Sequence, residues 1–447
     1  MKVSTERLPE SQVLLEIEVD DARVEKAKDS AYRRLASKVR VPGFRPGKAP
    51  RDVLERHLGE ETILHEAIDR LMPEVYREAL EQEDIDPIDQ AGYELVTHQP
   101  LVAKFTVPVQ PTVDLGEYRA LQVPREPVSI DPERVQDALE GLRHRYAIYE
   151  PVARPIEWND IVRADVDGTV DGKPLVHEED VEFQLIEGRP VSLPGFAEAL
   201  IGREKGAEFD LDLSVPDDAP SEELRGKQAR YKVHIKETKQ EVLPELDDEF
   251  ARQVGEGFPT LADLRARVES DLREALEQEA EHQYHDEVIG KLVEQASIEY
   301  PPVLVEREVD RLLRDQSSAG QPASRGGPAA REQLERYLQR VGRSEEDMRA
   351  ELRPIAEQRV LRSLVLSQVA EAEDIHVEDA EVQEEIDRLT SGVSEQAEQI
   401  RSLFSTDAAR ESLRRSLTTK KTLDRLVSIA SGEGETEAEQ ASATQDG

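Results

Sequence analysis

The chain of 447 residues contains no cysteine. Disulfides, thiolate metal sites and cysteine nucleophiles are excluded by that absence alone. Aromatic residues are scarce, at 4% with a single Trp. No apolar run approaches the ~18 residues that a membrane-spanning helix needs. The opening Met-Lys-Val-Ser-Thr-Glu lacks the apolar stretch of a secretion signal, and the chain is expected to be cytoplasmic, with no membrane partner. No Gly-rich phosphate loop and no G-x-S-x-G elbow occurs, which disfavours nucleotide-driven and hydrolytic chemistry. His65-Glu66-Ala67-Ile68-Asp69 lacks the second histidine of a zinc-protease helix. His282 and His285, with Glu281 and Asp286 beside them, have the spacing of a divalent site, but such residues more often form a solvated helix face. No cofactor and no metal are expected.

Charge is what the chain has in excess. Its 97 acids outnumber 58 Lys and Arg, for a net of -39, and 35% of residues are charged against 37% hydrophobic. A chain of this length divides into two to four domains. With so much charge, much of its surface stays wet, which points to elongated domains and long helices with solvated faces. Broad nucleic-acid binding is opposed by phosphate repulsion.

One segment breaks the pattern. Between residues 21 and 50, nine cations (Arg23, Lys26, Lys28, Arg33, Arg34, Lys38, Arg40, Arg45, Lys48) face three acids (Asp21, Glu25, Asp29), a net of +6. The segment ends in Gly43-Phe44-Arg45-Pro46-Gly47-Lys48-Ala49-Pro50. Its glycines and prolines bend the chain and keep it out of helices and central strands. Phe44 is left as an apolar plug, with Arg45 and Lys48 suited to phosphate or carboxylate oxygens.

Patterning divides the rest. Val13, Leu15, Ile17 and Val19 alternate as a half-buried strand. A helix over 21–39 should follow, with Asp20 or Asp21 as its cap. Helices near 51–58 and 61–81 and strands near 94–98 and 101–109 complete an α+β domain, 1–112. A connector, 113–155, carries an extended piece near 121–128 and a helix near 132–145. A β-rich block, 156–242, has turn signals at Asp167-Gly168 and Asp171-Gly172, and Tyr231, Val233 and Ile235 alternate in its last strand. From 243 to 430 the chain reads as helical. Thr260 and Asp263 form a capping-box pattern opening a helix of about 36 residues, roughly 54 Å long, that ends at the Tyr300-Pro301-Pro302 break. Pro354 should kink or split a helix over 344–372. A Gly/Pro/Ser-rich stretch, 317–328, reads as a mobile loop, and the acidic tail, 431–447, reads as disordered.

The octapeptide resembles the ribosome-docking signature of the trigger factor family, in which Gly-Phe-Arg is followed by a variable residue, Gly, another variable residue, a small or apolar residue and Pro. Here Pro46 and Lys48 fill the variable slots, and the family often carries a second Lys where Pro46 stands. The resemblance implies ribosome-binding by Gly43, Phe44, Arg45, Pro46, Gly47 and Lys48 at the nascent-chain tunnel exit of the large subunit, with ribosomal RNA contact possible. The order of parts agrees, down to Leu243-Pro244-Glu245-Leu246 opening the helical region. The implied fold is multidomain α+β: an α+β ribosome-docking domain, a β-rich isomerase domain and an elongated all-α C-terminal cradle. The implied function is ATP-independent chaperoning of unfolded nascent polypeptides, with a homodimer when the protein is free.

The middle block resembles a prolyl isomerase domain of the FK506-binding-protein type, best at Val191-Ser192-Leu193-Pro194-Gly195-Phe196. In that family no side chain attacks the substrate. Rotation about an X-Pro bond is slow because of amide resonance, with a barrier of ~18–20 kcal/mol, and an apolar pocket eases it by desolvating and twisting the amide. The resemblance places Val166, Leu175, Val176, Phe183, Leu185, Ser192, Leu193, Phe196 and Val233 at that pocket. It departs where the family usually has an aromatic, at Val166 and Leu175, and an Asp, at Val176; the loop between Val215 and Gly226 is short. Two other functions fit parts of this pattern: a freestanding prolyl isomerase whose helices position substrates, and a ribosome-independent holdase.

Overall fold

A computed structural model describes every residue except 46, 217–223, 319–327, 392–396 and 433–447. Pro46, most of the 317–328 stretch and most of the acidic tail therefore lie outside the described residues. In chain order the elements are β1 (Lys2–Leu8), β2 (Gln12–Val19), α1 (Asp21–Lys38), α2 (Arg51–Leu58), α3 (Glu60–Glu83), β3 (Gly92–His98), β4 (Leu101–Pro108), β5 (Thr112–Asp114), α4 (Pro132–Arg145) and β6 (Ile148–Pro151). Then follow β7 (Ile161–Val170), β8 (Lys173–Gln184), α5 (Phe196–Leu200), β9 (Glu208–Ser214), β10 (Gln228–Val242), α6 (Asp248–Val254), α7 (Leu261–Gln295) and β11 (Ser297–Glu299). The chain closes with α8 (Val303–Ser317), α9 (Pro328–Val341), α10 (Glu345–Ala372), α11 (Asp379–Ser391), α12 (Ala397–Leu403) and α13 (Asp407–Ala430).

These elements form two compact units, one of residues 1–125 with 282–447 and one of residues 126–281. In the first, an antiparallel sheet of order β1-β2-β4-β3 turns Leu15, Ile17, Ala103 and Phe105 onto the Ile68, Leu71, Met72 and Val75 stripe of α3. The period-2 pattern in β2 and the helical stripe in α3 are the two halves of one core. α1 begins after Asp20 as expected, but Asp20 makes no side-chain cap; its carboxylate takes the N-terminal ammonium instead. A nearby full positive charge outcompetes the orphan backbone N–H groups of the first turn.

The helical region of this unit is not closed at Tyr300-Pro301-Pro302. Helix α7 stops at Gln295 and the chain forms β11, which pairs antiparallel with β5. The Thr260–Asp263 capping box at its start is present, with the Thr260 N–H donating to Asp263 Oδ2 (3.1 Å) and the Asp263 N–H to Thr260 Oγ1 (3.3 Å). Pro354 does not split its helix, which runs unbroken as α10. α7, α10 and α13 share a core of Tyr284, Val288, Leu292, Val365, Val369 and Leu426, joined by Leu115 and Val123.

Glu373, at the C-terminus of α10, fastens that core. Its carboxylate side chain is only 7% exposed. It accepts the Tyr118 hydroxyl (2.7 Å), Arg119 Nε (2.9 Å) and Arg425 Nε (2.9 Å). Burial pushes this carboxyl's pKa up, but the hydrogen bonds from Tyr118, Arg425 and Arg119 outweigh burial and hold it below its ordinary value.

In the second unit β10 pairs with β7 along one edge, while its other edge is shared by β9 and β6; β8 extends the sheet beyond β7. The Asp171-Gly172 turn expected from the sequence closes the β7–β8 hairpin, with φ of 51° and 78° at its two residues, the signature of a type I′ turn. Asp167-Gly168 is not a turn. Both residues lie inside β7, paired with Lys232 and Tyr231. A separate core joins Val135 and Leu139 of α4, Phe250 and Ala251 of α6 and Leu264 of α7.

Because the folded carboxyl of Glu373 has the lower pKa, its contribution is complete above the ordinary value of 4.5 and is lost as pH falls through the folded value. Glu373→Gln should lower the local opening free energy of residues 115–123 and 423–430 by about 1–3 kcal/mol, read by hydrogen exchange. Protection in wild type should decline with acid, while the variant should show no matching decline.

Candidate functional site

Two places collect the predicted residues. The first is the loop between α1 and α2. Val41 (5% exposed) and Ala49 anchor its two ends in a small core with Tyr32, Leu35, Leu54 and Ile63. The Gly47 N–H donates to the Ala36 carbonyl (2.8 Å), the Phe44 N–H to Val41 (3.2 Å) and the Lys48 N–H to Arg45 (3.0 Å). Gly43 and Gly47 sit at φ of +85° and +81° with nothing near the position of a Cβ, so glycine is required there by backbone conformation alone. Below the loop, α2 is tied to α1 by Arg51, which pairs with Asp29 and lies over the Tyr32 ring (5.1 Å to its centroid), and by the Tyr32 hydroxyl donating to Glu55.

Such a base leaves the tip outside. Phe44 is 41% exposed, and Arg45 and Lys48 are exposed. The nine cations of the basic segment divide sharply. Arg23 is held by Glu78 (2.5 Å), Lys28 by Glu25 (3.3 Å) and Arg34 by Glu66. Lys26, Arg33, Lys38, Arg40, Arg45 and Lys48 are all exposed, with no side-chain partner among the described residues.

The second place is the core of the β7–β10 sheet. Val166, Leu185, Phe196 and Val233 are buried within one apolar cluster, at 6% exposure or less, and Leu175, Val176, Phe183 and Leu193 pack against it half-buried. The sheet explains the convergence. Val166 pairs with Val233 between β7 and β10, and Phe183 pairs with Val162 between β7 and β8. The ring of Phe196 lies 6.1 Å from Phe183 in a tilted contact and 5.2 Å from Tyr231 in an edge-to-face one, between centroids. Ser192 is exposed on the segment before α5, and its Oγ lies 3.1 Å from the Tyr231 hydroxyl. All nine predicted residues are thus in or at one cluster. Part of the loop between Val215 and Gly226 lies outside the described residues.

Two members of this cluster escape the family motif. Tyr231 is 1% exposed; the alternation of β10 marks it as inward, while only the fold shows it against Phe196 and Ser192. Gly168 is its cross-strand neighbour. A Cβ at Gly168 would stand 2.7 Å from Val176 Cγ1 and 2.9 Å from Tyr231 Cε1, so the glycine is there for close approach rather than for a turn.

Among the described residues no group of three or more His, Asp or Glu could hold a metal ion. Asp286 pairs with Arg362 (2.7 Å). Among the same residues no helix is long and apolar enough to cross a membrane.

Gly168→Ala forces Tyr231 and Val176 apart and should cost the sheet about 1–3 kcal/mol. Hydrogen exchange should show the loss in residues 161–170 and 228–235, with the α1–α2 region unchanged.

Comparison with known proteins covers nearly the whole chain. Residues 1–142 match the family described as "Bacterial trigger factor protein (TF)" and residues 260–428 the one described as "Bacterial trigger factor protein (TF) C-terminus". The trigger factor of Dehalococcoides mccartyi (strain CBDB1) is 33% identical over 430 residues, 96% of this chain and 95% of that protein. That of Moorella thermoacetica (strain ATCC 39073 / JCM 9320) is 37% identical over 431 residues, 96% and 94%. A solved structure described as "Promiscuous Substrate Recognition in Folding and Assembly Activities of the Trigger Factor Chaperone" aligns with 96% of this chain and 99% of its own, at 26% identity and a TM-score of 0.50. The chain belongs to the trigger factor family of ribosome-associated chaperones.

Proposed function

We propose that this protein docks through residues 43–48 on the large ribosomal subunit near the nascent-chain tunnel exit, and there holds emerging polypeptide in an open, non-aggregated state without nucleotide. The observation that carries the docking reading is the division of the basic segment into three cations held by acids and six left exposed without partners. On a chain of net charge -39, those six form a local surface that attracts a polyanion, and ribosomal RNA phosphate is the ligand they suit. Phe44 adds an apolar contact that salt does not screen. Residues 1–112 are the docking domain in this reading, 113–155 the connector, 156–242 the prolyl isomerase domain and 243–430 the client-holding helices, with 431–447 as an acidic tail. Phe183, Leu175, Val176 and Leu193, half-buried over Phe196, serve as the apolar surface on which an X-Pro bond is desolvated and twisted. The protein works in the cytoplasm, and it pairs as a homodimer when free.

Co-sedimentation with ribosomes over a salt series tests the docking claim. Phe44→Ala should weaken binding at every salt concentration. Arg45→Ala and Lys48→Ala should each reduce the slope of log affinity against log salt by about 1. Variants that sediment like wild type across the series would overturn the assignment.

A further inference from the structure

The apolar cluster of the β7–β10 sheet contains a pair of hydroxyls that no role described so far employs. Tyr231 is 1% exposed, and its hydroxyl lies 3.1 Å from Ser192 Oγ. Either oxygen can donate in principle, but the two directions are not equivalent. If Ser192 donated, the phenolic proton would be buried in an apolar site without an acceptor, which is costly. If Tyr231 donates, its proton is satisfied, and the Ser192 O–H remains free on an exposed residue. The second arrangement leaves one hydroxyl donor at the solvent edge of a cluster whose half-buried members, Leu175, Val176, Phe183 and Leu193, are apolar.

A peptide entering such a site loses water from its backbone carbonyls, and an unreplaced hydrogen bond there opposes binding. Resting on the prolyl-site reading above, we propose that the Ser192 hydroxyl donates to a carbonyl oxygen of a bound X-Pro peptide, and that Tyr231 is a positioning residue that orients it. Gly168 belongs to the same device, since the bare backbone there admits the Tyr231 ring. The bound ligand is an extended proline-containing segment, seated by its apolar side chains and registered by one carbonyl.

The competing explanation is that Ser192 merely satisfies a buried phenol. Two variants separate the two. Ser192→Ala strands the Tyr231 hydroxyl and should weaken both stability and binding on either account. The double variant Ser192→Ala/Tyr231→Phe strands nothing, because both partners are removed together.

The experiment uses the full chain, a proline-containing tetrapeptide, a matched peptide with Ala in place of Pro, and a proline-limited refolding assay. The double variant should regain wild-type thermal stability yet bind the proline peptide about five- to tenfold more weakly. The loss should fall in KM rather than kcat, as expected for a contact made equally in ground and transition states. Ser192→Thr, which keeps the hydroxyl, should restore affinity. A double variant with wild-type affinity and KM would overturn the proposal while leaving the prolyl site intact. Catalysis absent from wild type, or indifferent to Phe183→Ala, would overturn the prolyl-site reading and this proposal with it.

Discussion

Electrostatic partition within α1 and the loop after it is the constraint on which the docking account depends. A protein with 97 acids and 58 cations can neutralise nearly every Lys and Arg on its own surface, and much of this chain does so. Arg349 alone engages Glu306, Asp310 and Glu345. Between residues 26 and 48, six cations are exposed with no side-chain partner among the described residues. Glu78 and Glu66 come from α3 and are taken by Arg23 and Arg34, while Asp29 is taken by Arg51. Exposed pairs of this kind contribute little stability. Their consequence is spatial, since they fix which cations remain available.

Availability alone would not make a docking point. A flexible tip loses conformational entropy when it binds, which weakens association. The small core under the loop reduces that loss by fixing both ends of a short segment, with Val41 and Ala49 inserted and Gly47 hydrogen bonded back to α1. The same logic recurs in the sheet of the second unit. There Gly168 gives up a side chain so that the Tyr231 ring can approach β7 closely, and the buried phenol in turn contacts the exposed Ser192. In both places glycine is used for what its missing Cβ permits, conformation in the loop and proximity in the strand.

Much of this was legible in the sequence. α2 and α4 fall over 51–58 and 132–145 as expected, and the capping box opens α7 at the expected residue. Local chemistry decides those elements, so local reading finds them. β1, β5, β6 and β11 were not legible: β1 is mostly exposed, while β5, β6 and β11 are short and exist through pairing with strands distant in sequence, as β11 does with β5. Asp167-Gly168 reads as a turn by composition, yet pairing of β7 with β10 on one side and β8 on the other holds it extended. All nine predicted residues of the apolar site converge, since a strand pattern with the motif around Phe196 specifies which side chains face inward. Tyr231 was visible as an inward residue but not as a site residue, because its partner Ser192 lies 39 positions away in sequence.

The central claim is that one anchored, unpaired basic surface joins this acidic protein to the ribosome. Hydrogen exchange of the full chain with and without ribosomes at low salt tests it most directly. Slowed exchange centred on residues 33–50, where α1 runs into the loop, is the predicted result. Protection elsewhere on the chain, with residues 33–50 exchanging as in the free protein, would contradict the account.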